Sequence, residues 1–271
     1  MPYQMEIHGK PRSITAMEVE AKLEATQPSV LEAIARRKRL GPYEVRSVGT
    51  RDLETVYLDT ARSNLLRRGI ALRLRRAKDT IELTLKLPGE VSRGVHRRPE
   101  STWRLRRMPA LPYRPRGRLA RQLRRWTAGR PLLPTVGTRV RRHALLVRHP
   151  GGSAPVAEVD IDRVEFFRPG EPDASSRADA RFYEVEVELL GGDEGDLRTL
   201  VRALRERYPL RGTRKSKLER ALGWANRVGS TATITKPRPK GATRVGPTAT
   251  TTEPLPKGAR ALSLSSRVSR H

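Results

Sequence analysis

The chain has 271 residues, no cysteine and a formal net charge of +27. Disulfides, thiolate metal sites and a cysteine nucleophile are thereby excluded, and polyanionic company such as phosphate compounds, nucleic acid or an anionic surface is implied. No stretch reaches the roughly 20 apolar residues of a membrane span, and the opening "MPYQMEIHGK" lacks an apolar core of signal length, so a cytoplasmic protein without membrane contact is expected.

In chain order, the first predicted element is a strand over Glu18–Leu23, where Glu18, Glu20 and Lys22 alternate with Val19, Ala21 and Leu23. A helix over Ser29–Leu40 follows Pro28, and strands follow over Tyr43–Val48 and Glu54–Asp59. Asn64–Arg68 reads as a short helix, with Ser63 placed to cap its start and Gly69 to end it. Strands over Ala71–Arg75, Ile81–Leu87 and Thr102–Arg106 carry Arg73 and Arg75, then Glu82, Thr84 and Lys86, then Arg104 and Arg106 on their polar faces. Arg116–Thr127 reads as a helix with Leu119, Leu123 and Trp126 on one side. Arg139–Val147, Ala157–Glu165 and Phe182–Leu190 complete the strands, and helices are expected over Leu197–Tyr208 and Ser216–Trp224. Strands in hairpin-like succession predict an α+β chain, mainly antiparallel β, with peripheral helices. That folded part spans residues 14–226. Residues 229–271 are rich in Thr, Ser, Pro and Gly, carry eight basic residues against Glu253, and read as a disordered basic tail.

The polar strand faces are segregated by charge. Glu158, Asp160 and Asp162 share one face, Glu184, Glu186 and Glu188 another, and Arg73 with Arg75 a third. A single wet sheet face explains any one of these strands. It explains the set poorly, because like charges two residues apart sit only about 7 Å from one another. Inside a closed barrel such carboxylates neutralise themselves unless a divalent cation holds them ionised. Oxygen-only ligands with no clustered histidines favour Mg²⁺ or Mn²⁺ over zinc. The neighbouring guanidinium and ammonium groups then require an anion, and a phosphate chain satisfies both sets, which is the chemistry of metal-assisted phosphoryl transfer. Glu24, Glu82, Asp162 and Glu184 are expected to be exposed edge charges.

"EVEAK" at Glu18–Lys22 resembles the ExExK signature of the CYTH superfamily, the triphosphate tunnel metalloenzymes. "YLDTARSNLLRRGIALRLRR", "IELTLKLPG", "HRRPE", "EVDIDRVEF", "FYEVEVEL" and "TRKSKLERAL" follow in the order of that family. The resemblance implies an eight-stranded closed, tunnel-like barrel with a charged interior. It implies metal ligation by Glu18, Glu20, Glu186 and Glu188, and phosphate binding by Lys22, Arg73, Arg75, Lys86 and Arg139, with Arg141 a neighbour, and by Lys215 or Lys217. Glu158 and Asp160 resemble the acidic pair of the penultimate strand, a catalytic, water-orienting or second-metal position, and Glu100 resembles an acidic tunnel position. The expected activity is metal-dependent hydrolysis of a triphosphate compound, inorganic triphosphate being the simplest. Adenylyl cyclisation of ATP and non-enzymatic polyanion binding are the alternatives. The arginine-rich run Arg104–Arg130 and the tail read as non-specific contacts for polyphosphate or nucleic-acid backbones.

Overall fold

The computed structural model describes residues 14–171 and 180–229, and the expected basic tail beyond Gly229 lies outside them. Strands β1 (Ile14–Ala25), β3 (Tyr43–Asp59), β4 (Ala71–Ala77), β5 (Thr80–Lys86), β7 (Val95–Leu105), β8 (Leu133–Arg148), β9 (Ala157–Phe167) and β10 (Arg181–Leu189) form an antiparallel ring. Its order is β1-β10-β9-β8-β3-β4-β5-β7, closed by pairing of β7 back onto β1. Short strands β2 (Arg39–Leu40), β6 (Glu90–Ser92) and β11 (Leu210–Gly212) decorate this eight-stranded tunnel.

Among the described residues, four helices sit around the ring: α1 (Pro28–Ala35), α2 (Gly117–Thr127), α3 (Glu194–Arg207) and α4 (Lys217–Gly229). The outward apolar positions of β1, β9 and β10, among them Leu23, Val159, Val185 and Val187, pack under Ile34 of α1 and Leu197, Leu200 and Leu204 of α3. Leu72, Leu74, Leu83 and Leu85 on the outer face of β4 and β5 are covered by Leu119 and Leu123 of α2. Each helix buries the apolar stripe predicted by its 3.6-residue period. α4 differs, because Ala221 and Trp224 pack against Leu53, Tyr57, Val140, Val164 and Phe182, which share the inward parity of the strands. The helix thus closes one end of the ring.

Several boundaries move from the expected ones. α1 ends at Ala35, and Arg39–Leu40 pairs with β3 instead of extending the helix. The two strands expected between Tyr43 and Asp59 are one strand of 17 residues, in which the intervening Gly49, Thr50, Arg51 and Asp52 pair with β8 and the register shifts at Ser47/Gly49 and Val56/Leu58. β7 begins at Val95 rather than Thr102. The short helix shrinks to a 3₁₀ turn over Leu66–Arg68, ended by left-handed Gly69 as expected. Its start is held by the Asp59 carboxylate, which accepts from the backbone N–H groups of Leu65 and Leu66, each at 2.9 Å, and Ser63 plays no such part.

A charged tunnel as the candidate active site

Directly paired residues of antiparallel strands point to the same side of the sheet, so the register assigns every inward side chain. Lys22 pairs with Glu186 and Glu186 with Asp160; Glu20 pairs with Glu188 and Glu188 with Glu158. Tyr57 pairs with Arg73 and Arg73 with Thr84, while Lys86 pairs with Glu100 and Glu18 with Arg98. These side chains line one cavity of about 250 Å³, together with Arg51, Arg75, Glu82, Arg142, and Ser216 and Lys217 at the α4 end.

Of the expected site residues, Glu18, Glu20, Lys22, Arg73, Arg75, Lys86, Glu158, Asp160, Glu186, Glu188 and Lys217 are brought together here. Arg139 and Lys215 are not. Arg139 pairs across the strands with Glu54 and Glu165 on the outer face, where its guanidinium lies 4.6 Å from the centre of the Phe167 ring. Arg141 shares that outward parity, opposite Asp52 and Arg163. The inward arginine of β8 is Arg142, whose partners are Arg51 and Asp162. Three arginines within four residues leave alternation unable to choose, since a slip of one residue exchanges the two faces. Asp162 and Glu184, expected as exposed edge charges, are instead fully buried. Arg98 was present in "HRRPE" but unassigned, and its position two residues from Glu100 on β7 was the available signal.

Ion pairs fill the interior. Arg142 donates to Asp162 Oδ1 and Oδ2 at 2.8 and 2.7 Å, to Glu186 Oε2 at 2.9 Å, and to Asp160. Lys217 Nζ lies 2.5 Å from Glu184, 2.7 Å from Glu186 and 3.0 Å from Asp162. Lys22 Nζ bridges Glu20 and Glu186 at 2.7 and 2.8 Å. Lys86 joins Glu18 to Glu100, and Arg98 spans Glu18 and Glu20 at 2.7 and 3.2 Å. Burial opposes ionisation of Glu18, but Lys86, Arg98 and Lys22 outweigh it and hold the carboxyl well below the usual range.

Charge is unevenly balanced at Glu188, at Asp160 and at the Arg73–Arg75 pair. Glu188 takes part in no salt bridge among the described residues, and burial with repulsion from Glu18 and Glu20 pushes its carboxyl up to about 7. Burial, and repulsion from Asp162, Glu158 and Glu186, raises Asp160 against the pull of Arg142, and its Oδ1 makes no hydrogen bond. Burial and the charges of Arg73 and Arg142 push Arg75 down to about 9, while Nε of Arg73 is buried without a partner. One wall is therefore short of positive charge and the facing wall short of negative charge. Hard carboxylate oxygens at Glu18, Glu20 and Glu188 suit a divalent cation, and such an ion would reverse the rise at Glu188.

A closed antiparallel ring with acidic and basic walls defines a tunnel-like fold. The family model of the CYTH domain matches residues 16–222, and the chain belongs to that family. Among solved structures, HpAC1 of Hippeastrum, an adenylyl cyclase candidate with a dominant triphosphatase activity, is 19% identical with a TM-score of 0.58, over 76% of this chain and 95% of its own. An adenylate cyclase candidate from Bacillus halodurans is 15% identical with a TM-score of 0.52, over 76% of this chain and 97% of its own. At these identities the likeness is one of fold. No curated protein sequence matches the chain.

Proposed function

We propose that this protein is a divalent-metal-dependent hydrolase of a triphosphate compound, with inorganic triphosphate as substrate. The observation that carries the reading is the pair Arg73 and Arg75, half-buried side by side in the tunnel lining, where desolvation and the charges of Arg73 and Arg142 lower the proton affinity of Arg75. A chain of phosphates supplies negative charge to that pair through guanidinium forks, and Lys86 lies on the adjoining strand to extend the clamp. The cavity of about 250 Å³ is below the usual range for drug-sized ligands, and Tyr57 is the only aromatic among the described residues that line it, which favours a compact inorganic anion over a nucleotide. CYTH membership and the triphosphatase activity of the Hippeastrum protein agree with the reaction type.

Glu18, Glu20 and Glu188 would hold Mg²⁺ or Mn²⁺, with Glu186 adjoining. When bound, the ion supplies positive charge to the phosphate oxygens. Arg73, Arg75 and Lys86 orient the chain and offset charge that develops on the transferred group. Asp160, with one unpartnered oxygen and a raised proton affinity, accepts the proton of a water that attacks the terminal phosphorus, and Arg51 holds Glu158 beside it at 2.9 Å. The bridging P–O bond then breaks and diphosphate leaves. Phosphate release from triphosphate, thiamine triphosphate and ATP, with Mg²⁺ or Mn²⁺ and with a cyclic-AMP readout, tests this. Wild type should be fastest on triphosphate, with loss of roughly 10²-fold or more in Arg73→Ala. Equal, slow release by wild type and Arg73→Ala would sink the reading.

No helix among the described residues is long and apolar enough to cross a membrane. All ten arginines between Arg104 and Arg130 are exposed, which favours a secondary contact with polyphosphate or nucleic-acid backbones. Retention on either polyanion that does not weaken as salt rises would count against that contact.

A further inference from the structure

A second cleft lies outside the tunnel, on the outer face of β1. It encloses about 710 Å³, within the ordinary range for ligand sites. Its floor is apolar, built from Leu23 of β1, Leu197 and Val201 of α3, and Tyr208, of which Val201 and Tyr208 are only half-buried. Its rim is basic. Arg198, Arg202 and Arg205 stand along α3, Arg93 on the β6–β7 turn and Arg211 on β11, against the single carboxylate of Glu206. All five guanidinium groups belong to exposed residues, and among the described residues only Arg198 has an ion-pair partner, Glu194 at 3.3 Å. Arg93 also holds a left-handed backbone, φ 50°, beside Gly94 in a two-residue hairpin turn, a place that favours glycine or asparagine. An arginine there strains the backbone and makes no ion pair within the described chain.

The distribution of this charge selects the occupant. Arg198, Arg202 and Arg205 recur at i, i+4 and i+7, so they follow one edge of the cleft for about 10 Å. A single anionic head group meets one point of such a row, whereas a segment with acidic residues on successive turns meets all of it. A flat bilayer does not enter a concave cleft. Residues 229–271 carry eight basic residues against Glu253, and a second copy brings the same net charge of +27, so charge disfavours both. We propose that this cleft docks an acidic amphipathic helix of a partner protein, its apolar side on Leu197, Val201 and Tyr208 and its carboxylates on Arg202, Arg205 and Arg211. The docking is separate from the hydrolase reading, since none of these side chains lines the tunnel.

The test is fluorescence anisotropy with a labelled peptide that carries Glu on successive helical turns beside a Leu stripe, at physiological salt, with melting followed for every variant. Wild type should bind it. Replacing the peptide's Glu by Gln, or combining Arg202→Glu with Arg205→Glu in the protein, should weaken binding by roughly tenfold or more. Val201→Gln, which leaves the net charge unchanged, should weaken it as well, whereas Arg118→Glu with Arg121→Glu on the exposed side of α2 should not. An equal loss from the α2 pair would mean general attraction to a basic protein and overturn the proposal, as would full binding after Arg202→Glu with Arg205→Glu. Absence of peptide binding by wild type also overturns it, and retention of dodecanoate or of phosphatidylglycerol vesicles by the same arginines would then assign the cleft to an amphiphile or a membrane.

Discussion

Arg142 donates to Asp160, Asp162 and Glu186 from a buried position, so its removal leaves three carboxylates facing one another in low dielectric. Breaking a buried ion pair from one side is strongly destabilising, so Arg142→Ala should cost about 3–5 kcal/mol in urea unfolding. Arg139→Ala, on the outer face, should leave triphosphate affinity unchanged in equilibrium binding, and a tenfold loss would put Arg139 back in the tunnel. Glu188 sets a pH dependence whose sign follows from its raised carboxyl. Between its ordinary value near 4.5 and about 7, the folded metal-free chain binds more protons than the unfolded one. Stability therefore falls as pH rises through that window, by at most about 1.4 kcal/mol per unit from this group. Glu188→Gln should flatten that part of the curve, and an unchanged slope would assign the proton elsewhere.

At the scale of elements, the helices divide between covering the ring and closing it. α3 begins at a reciprocal cap, in which the Asp193 side chain accepts from the Asp196 N–H and the Asp196 side chain accepts from the Asp193 N–H, both at 3.0 Å. Asp193→Ala should cost about 1 kcal/mol by thermal melting, the ordinary worth of an N-cap. α4 depends on Trp224, which is 1% exposed among Phe166, Phe182 and Val140. Trp224→Ala should cost about 3–5 kcal/mol and also lower triphosphate affinity, because the same helix carries Ser216 and Lys217 at the tunnel wall. Loss of stability with full affinity would separate the helix from the site.

At the scale of the whole molecule, ring closure by β1 and β7 turns sheet faces into a tunnel interior, where unpaired charge carries a cost. Ligands that bind only the folded chain stabilise it by mass action. Triphosphate at 100 times its dissociation constant should add about 2.7 kcal/mol, raising the melting temperature by a few degrees, and no shift at millimolar triphosphate would contradict the cationic wall. The sequence by itself determined the class of fold, because period-2 alternation marks strand faces without any tertiary knowledge. It also determined the shared face of Glu18, Glu20, Glu186 and Glu188 and that of Arg73, whose neighbours of opposite parity are apolar and leave one assignment open. Only the tertiary structure decided that Arg142, rather than Arg139 or Arg141, faces inward, since adjacent arginines carry no parity signal until a partner strand sets the register. It alone buried Asp162 and Glu184, because strand alternation does not tell a wet face from a closed one. It alone brought Lys217 to them across 33 and more residues of chain, a contact that exists only because α4 packs into the end of the ring.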